Sequence, residues 1–75
     1  MTNRTFTLHA VTVAARYNNP LEYDTVRDAA EGYLRQLEEL EGREIDPDAI
    51  TEDDAIQIMG AIDAGHAAGD FGTDY

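Results

Sequence analysis

Thr5-Phe6-Thr7-Leu8-His9-Ala10-Val11-Thr12-Val13-Ala14-Ala15-Arg16-Tyr17-Asn18-Asn19-Pro20 is the stretch whose reading decides the fold. As a helix it gives a three-helix domain, and as a strand it gives strand–helix–helix. Its β-branched residues favour a strand over 5–13. The alternation changes phase, however: Phe6, Leu8 and Ala10 would share one face, and Val11, Val13 and Ala15 the other. At about 3.6 residues per turn, Thr5, His9, Thr12, Arg16 and Asn19 fall in one polar stripe and the remainder is almost wholly apolar. Thr7 suits an N-cap, and Asn18-Asn19-Pro20 is a stop, because the residue before Pro avoids the helical region. The stretch therefore reads as a helix over about 8–18, making a mainly α, three-helix domain. The alternative is an α+β fold with residues 5–13 as an N-terminal strand.

The segment that follows is more plainly helical. Asn19-Pro20-Leu21-Glu22 has the form of a capping box with Pro at the first helical position, and Asp24 offers a second cap. Val26, Ala30, Tyr33, Leu37 and Leu40 repeat in steps of four and three as a buried seam, which Ala29 and Leu34 widen. Gly42 suits a left-handed C′ position, so the helix runs from 21 or 25 to 41. Gly32 inside it is a mild cost or a place of close helix contact. Glu31–Arg35 and Glu39–Arg43 stand at i,i+4 spacing. In the linker, Asp46-Pro47-Asp48 reads as a turn, with Ile45 and Ile50 as anchors. Thr51 caps a third helix whose buried stripe is Ala55, Ile58, Met59 and Ile62, with Ile56 on its margin and Gly65 as its end. Residues 1–65 form one compact domain, and 66–75 a Gly-rich tail expected to be mobile.

Between the second and third helices, Glu38 to Asp54 holds nine carboxylates in seventeen residues: Glu38, Glu39, Glu41, Glu44, Asp46, Asp48, Glu52, Asp53 and Asp54, against the single cation Arg43. The net charge of −11 is unevenly spread. Residues 1–20 carry Arg4 and Arg16 and no acid (+2), while residues 21–75 carry all 16 acids and three Arg (−13). Such a chain has few cations to displace counterions from phosphates, which excludes direct nucleic-acid binding, and it is repelled by anionic membranes. The partner that its charge fits is a basic protein surface, and above all a nucleic-acid-handling protein.

The remaining chemistry is thin. With no Cys there is neither disulfide nor thiolate. No apolar run approaches the ~18–20 residues of a membrane span, and the N-terminus does not read as a signal peptide, so a cytoplasmic location is expected. Asp46-x-Asp48 begins like a calcium loop, but Ile50, Thr51 and Gln57 occupy the positions that need an oxygen ligand, a Gly and an acid. No metal or cofactor is expected. Asp70-Phe71-Gly72 copies the kinase magnesium tripeptide in a chain far too short for that fold. Acyl carrier proteins need a Ser to hold their prosthetic group, and this chain has none. A ribbon-helix-helix DNA reader needs a basic strand, and residues 5–13 hold no Arg or Lys.

Two readings of the acids follow. In one they are a solvating coat, as in salt-adapted proteins, on a small module that self-associates as a homodimer through its apolar helix faces. In the other they are a docking face that occludes a basic, nucleic-acid-handling protein by imitating a phosphate backbone, with Tyr23 or Phe71 adding apolar contact. Phage-encoded nucleic-acid mimics, many anti-CRISPR proteins among them, work in this way; the parallel is one of class, since no shared motif supports it. An unpaired cluster on a scaffold that spares its first twenty residues favours the docking face, and an enzyme is not expected.

Overall fold

A computed structural model describes residues 4–69 and Phe71. The elements run in the order β1 (Thr5–Phe6), α1 (Leu8–Arg16), α2 (Tyr23–Glu41), β2 (Ile50–Thr51) and α3 (Glu52–Ala67). The domain is mainly α, with three helices and one antiparallel two-stranded ribbon that pairs Thr5 with Thr51 and Phe6 with Ile50. The ambiguous stretch is divided at Thr7. Its first two residues form a strand, and the Thr7 hydroxyl then accepts from the Ala10 N–H at 3.0 Å and starts the helix.

The buried face of α1 is not the face that periodicity gives. Leu8, Val11, Thr12 and Ala15 point inward, while Val13 and Ala14 are exposed. Thr12 can be buried because its hydroxyl donates to the Leu8 carbonyl at 2.8 Å, one turn back. Asn19 is buried too, which removes the expected capping box. Its amide donates to the Ala15 carbonyl at 2.9 Å and to Asp63 Oδ1, and its Oδ1 accepts from His66 Nδ1 at 2.7 Å. The N-cap of α2 is instead Glu22, with no side-chain hydrogen bond, so the helix begins at Tyr23.

Val26, Ala30, Leu34 and Leu37 fill the core side of α2, and Tyr33 packs at its edge. Leu40, expected in the seam, is 83% exposed. Ala55, Ile58 and Ile62 bury the inner side of α3, Met59 is half-buried, and Ile45 and Ile50 anchor the linker as expected. Gly42 ends α2 at φ 63°, where a Cβ would be strained. Gly65 does not end α3, which continues to Ala67. It is buried instead, and a Cβ there would lie 2.7 Å from the Tyr33 hydroxyl and 3.2 Å from the Phe71 ring. Phe71 therefore packs against the core, while Asp70 and 72–75 of the expected tail lie outside the described residues. The expected Glu31–Arg35 and Glu39–Arg43 pairs are replaced by Arg27–Glu31 and by Arg43 with Glu41 and Asp54.

The two kinds of helical glycine predict opposite signs. Gly32 is exposed with open space at its Cβ position, so Gly32→Ala should stabilise by about 1 kcal/mol in denaturant unfolding. Gly65→Ala should destabilise by about 1–2 kcal/mol, because Tyr33 and Phe71 must move.

Candidate acidic docking surface

Three chain directions meet at one end of the bundle: the start of α1, the end of α2 and the start of α3. The Thr5–Thr51 pairing and a bond from the Leu8 N–H to the Pro47 carbonyl at 2.7 Å fix the linker to α1. That bond also satisfies one of the N–H groups that an α-helix leaves open at its start. The linker is held to α2 as well, because the Glu38 carboxylate reaches past the helix end and accepts from the Ile45 N–H at 2.8 Å. Within it, Asp46 Oδ1 accepts from the Asp48 N–H at 2.8 Å and the Asp46 carbonyl accepts from Ala49 at 3.0 Å, which closes the expected turn. With Ile45 and Ile50 both buried, the acidic segment is part of the fold rather than a loose strap.

The nine acids are sorted by this geometry. Asp54 is only 2% exposed and takes two hydrogen bonds from Arg43 Nη2, at 2.9 and 2.8 Å. Arg43 also meets Glu41, and these hydrogen bonds, that to Asp54 foremost, push its guanidinium pKa above the ordinary Arg value. Asp54 thus joins α3 to the end of α2 and is withdrawn from any docking surface. Glu38 and Asp46 each spend one carboxylate oxygen on the backbone. Glu39, Glu44, Asp48, Glu52 and Asp53 are exposed and, among the described residues, form no ion pair.

The acids on α3 have a local structural reason. Thr51 Oγ1 accepts from the Asp54 N–H at 3.3 Å, and Glu52, Asp53 and Asp54 fill a first turn where the helix dipole favours anions. At the end of α2, Glu38 is tied to the Ile45 N–H and Glu41 to Arg43, and Glu39 alone has no such reason. Glu38, Glu39 and Glu41 stand where the dipole is negative, and no basic residue lies in that last turn. Local stability would place Lys or Arg there.

Tyr23 and Phe71 do not join the acidic end. Tyr23 starts α2, about 22 Å along the helix axis from Glu38. Its hydroxyl accepts from Arg27 Nη1 at 3.1 Å and donates to His9 Nδ1 at 2.6 Å. Phe71 lies beside Gly65 and His66 near the end of α3. The apolar side chain that does lie among the acids is Leu40, between Glu39 and Glu41, beside a groove lined by Tyr33, Gln36, Leu37, Gln57, Ile58 and Ala61. The seam pattern hid it: Leu40 lies on the margin of the helix face whose centre is Val26, Ala30 and Leu37.

Among the described residues, no group of three or more acids and histidines is arranged to hold a metal ion, and no helix is long and apolar enough to cross a membrane. Comparison with protein-family models, curated proteins and solved structures finds no match.

The division between structural and free acids predicts unequal effects on stability. Arg43→Met, which leaves the buried Asp54 carboxylate without its partner, should lower the melting temperature clearly. Asp53→Asn, on the same helical turn but exposed, should leave it almost unchanged, as read by circular dichroism.

Proposed function

We propose that this protein is an acidic inhibitor that occludes the basic groove of a nucleic-acid-handling protein, its acidic end standing in for a short run of phosphates. The observation that carries the reading is the end of α2, where Glu39, with no ion pair among the described residues, opposes its own helix dipole on a backbone tied to the core. A residue pattern that works against local stability points to selection for something else. The clamped linker adds Glu44, Asp46 and Asp48, and α3 adds Glu52 and Asp53.

The imitation is one of spacing as well as sign. Duplex DNA carries one charge per about 1.7 Å of axis. Helical acids rise about 1.5 Å per residue, and those three or four apart lie about 5–6 Å apart at Cβ. Because the linker is held in place, little chain entropy would be lost on docking. Leu40 supplies an exposed apolar contact in the midst of the charge, the place where a desolvated anchor contributes most. On this reading the protein acts in the cytoplasm, the host cytoplasm if it is phage-encoded, as anti-CRISPR proteins do; it carries no reaction and needs no cofactor.

The self-associating module loses its first candidate face, because Val26, Ala30 and Leu37 are buried within the monomer.

The test is capture of proteins eluted from immobilised heparin, a fraction enriched in basic nucleic-acid binders. The bound partner should be displaced by duplex DNA and released as salt rises from about 50 to about 300 mM. A variant with Glu39→Gln, Glu44→Gln, Asp48→Asn, Glu52→Gln and Asp53→Asn should keep its helical spectrum and lose the partner. Undiminished capture by that folded variant would refute the charge-imitation reading.

A further inference from the structure

The helices α2 and α3 form an antiparallel pair. Asp54 meets Arg43 just past the end of α2, and Gly65 lies beside Tyr33, so α3 runs back along α2. Their outer side carries a shallow groove that no residue of α1 lines. Tyr33, Gln36 and Leu40 line it from α2, and Gln57 and Ala61 from α3. None of its lining residues is charged, although 28% of the chain is. Leu40, at its acidic end, is 83% exposed. The volume, about 110 Å³, is far below the roughly 300 Å³ at which small-ligand sites begin, so the groove suits side chains of another protein.

Two glycines open its lips. Gly32 stands one turn before Gln36 on α2, and Gly60 one turn after Gln57 on α3. Both are exposed, and a Cβ at either would meet nothing within 4 Å. Each costs its helix about 1 kcal/mol against Ala, and no contact within the monomer requires it. Bare backbone on both lips lets a third helix come close. The charges lie along the same lips. Asp28 and Glu39 share the helical line of Gly32, and Asp53 stands one turn before Gln57. All three are exposed and, among the described residues, form no ion pair. An uncharged floor between acidic lips is the complement of an amphipathic helix whose apolar face is flanked by Lys and Arg. A second copy, at −11, would set acids against acids there.

We propose that the α2–α3 groove receives a basic amphipathic helix of the partner, with apolar side chains on Leu40 and Tyr33 and cations on Glu39 and Asp53. This rests on the reading of the acidic end as a docking surface and adds what the partner must present to it. Positive charge brings the partner to the acids, and the groove then selects a helix with large apolar side chains on one face. From Gly32 to Leu40 the groove runs about 12 Å along α2, which matches about two turns of the incoming helix. A basic segment without an apolar face is held by the acids alone and is released by salt more readily.

Fluorescence anisotropy with the full chain at about 150 mM salt tests this. The probe is a synthetic peptide of about sixteen residues with Leu at helical i, i+3, i+4 and i+7 positions and Lys on both flanks. Its control has the same composition in an order that scatters the Leu residues around the helix. The patterned peptide should bind about tenfold more tightly than the control and shift the ¹⁵N amide signals of Tyr33, Gln36, Leu40, Gln57 and Ala61. Leu40→Ser and Gly60→Gln, both at exposed positions, should each raise its Kd about tenfold. Ile56→Ser, exposed on the α1 side of α3, should leave it unchanged. Equal binding of the two peptides, indifference to both groove substitutions, shifts centred on Ile56, or no binding up to about 1 mM would each overturn the proposal. Equal binding of the two peptides leaves charge imitation standing, since that needs cations alone. Charge imitation fails separately, on undiminished capture by the five-substitution variant.

Discussion

The bond between Arg43 and Asp54 is the constraint on which the rest of the structure depends. One guanidinium just past the end of α2 holds a carboxylate in the first turn of α3, with both oxygens engaged. Around it the connection between the helices is fixed by backbone. Glu38 holds Ile45, Pro47 holds Leu8, and the Thr5–Phe6 strand lies along Ile50–Thr51. An acidic linker would ordinarily repel itself and extend. Here two buried isoleucines and this set of hydrogen bonds oppose that repulsion, and the exposed carboxylates become fixtures of the surface.

Electrostatics then separates what the fold needs from what it tolerates. Asp54 serves the fold, and Glu52 and Asp53 suit the positive end of α3. Of the acids closing α2, Glu38 holds the linker and Glu41 meets Arg43, while Glu39 serves neither purpose, and all three oppose the helix dipole. They add repulsion to a small domain whose stability margin is narrow, since a chain of 75 residues buries only about 60–65% of its unfolded surface. A uniform coat would be spread over all three helices, whereas α1 carries no acid at all. Of the fourteen acids among the described residues, nine lie between Glu38 and Asp54. That concentration, on a rigid support, is what the proposed binding surface rests on.

Much of the fold was legible because caps and stops are local chemistry. Thr7, Gly42 and Thr51 each do what their side chains, or the lack of one, allow within a single turn. What could not be read depended on residues distant in the chain. Asn19 looks like an N-cap until Asp63 and His66, more than forty residues away, draw it inward. Thr12 looks like a surface residue until its hydroxyl is paid by its own helix. Gly65 has the form of a helix stop, but its role is to make room for Tyr33 and Phe71. In the candidate site the acids were obvious and the sorting among them was not. Nothing in the sequence marks Asp54, rather than Asp53, as the buried partner of Arg43, since both follow Thr51 and both suit the helix dipole. Tyr23 and Phe71 are attractive as aromatics, but Tyr23 lies at the opposite end of α2 from the acids and Phe71 lies past the end of α3, and Leu40 stands where they were expected.

The account rests on the acidic end being held still before any partner arrives. Backbone ¹⁵N relaxation over Glu44–Thr51 measures this most directly. Order parameters near those of the helices, about 0.85, are the predicted result. Values below about 0.6 through Asp46–Ala49, with α2 and α3 still rigid, would describe a loose acidic strap and contradict it.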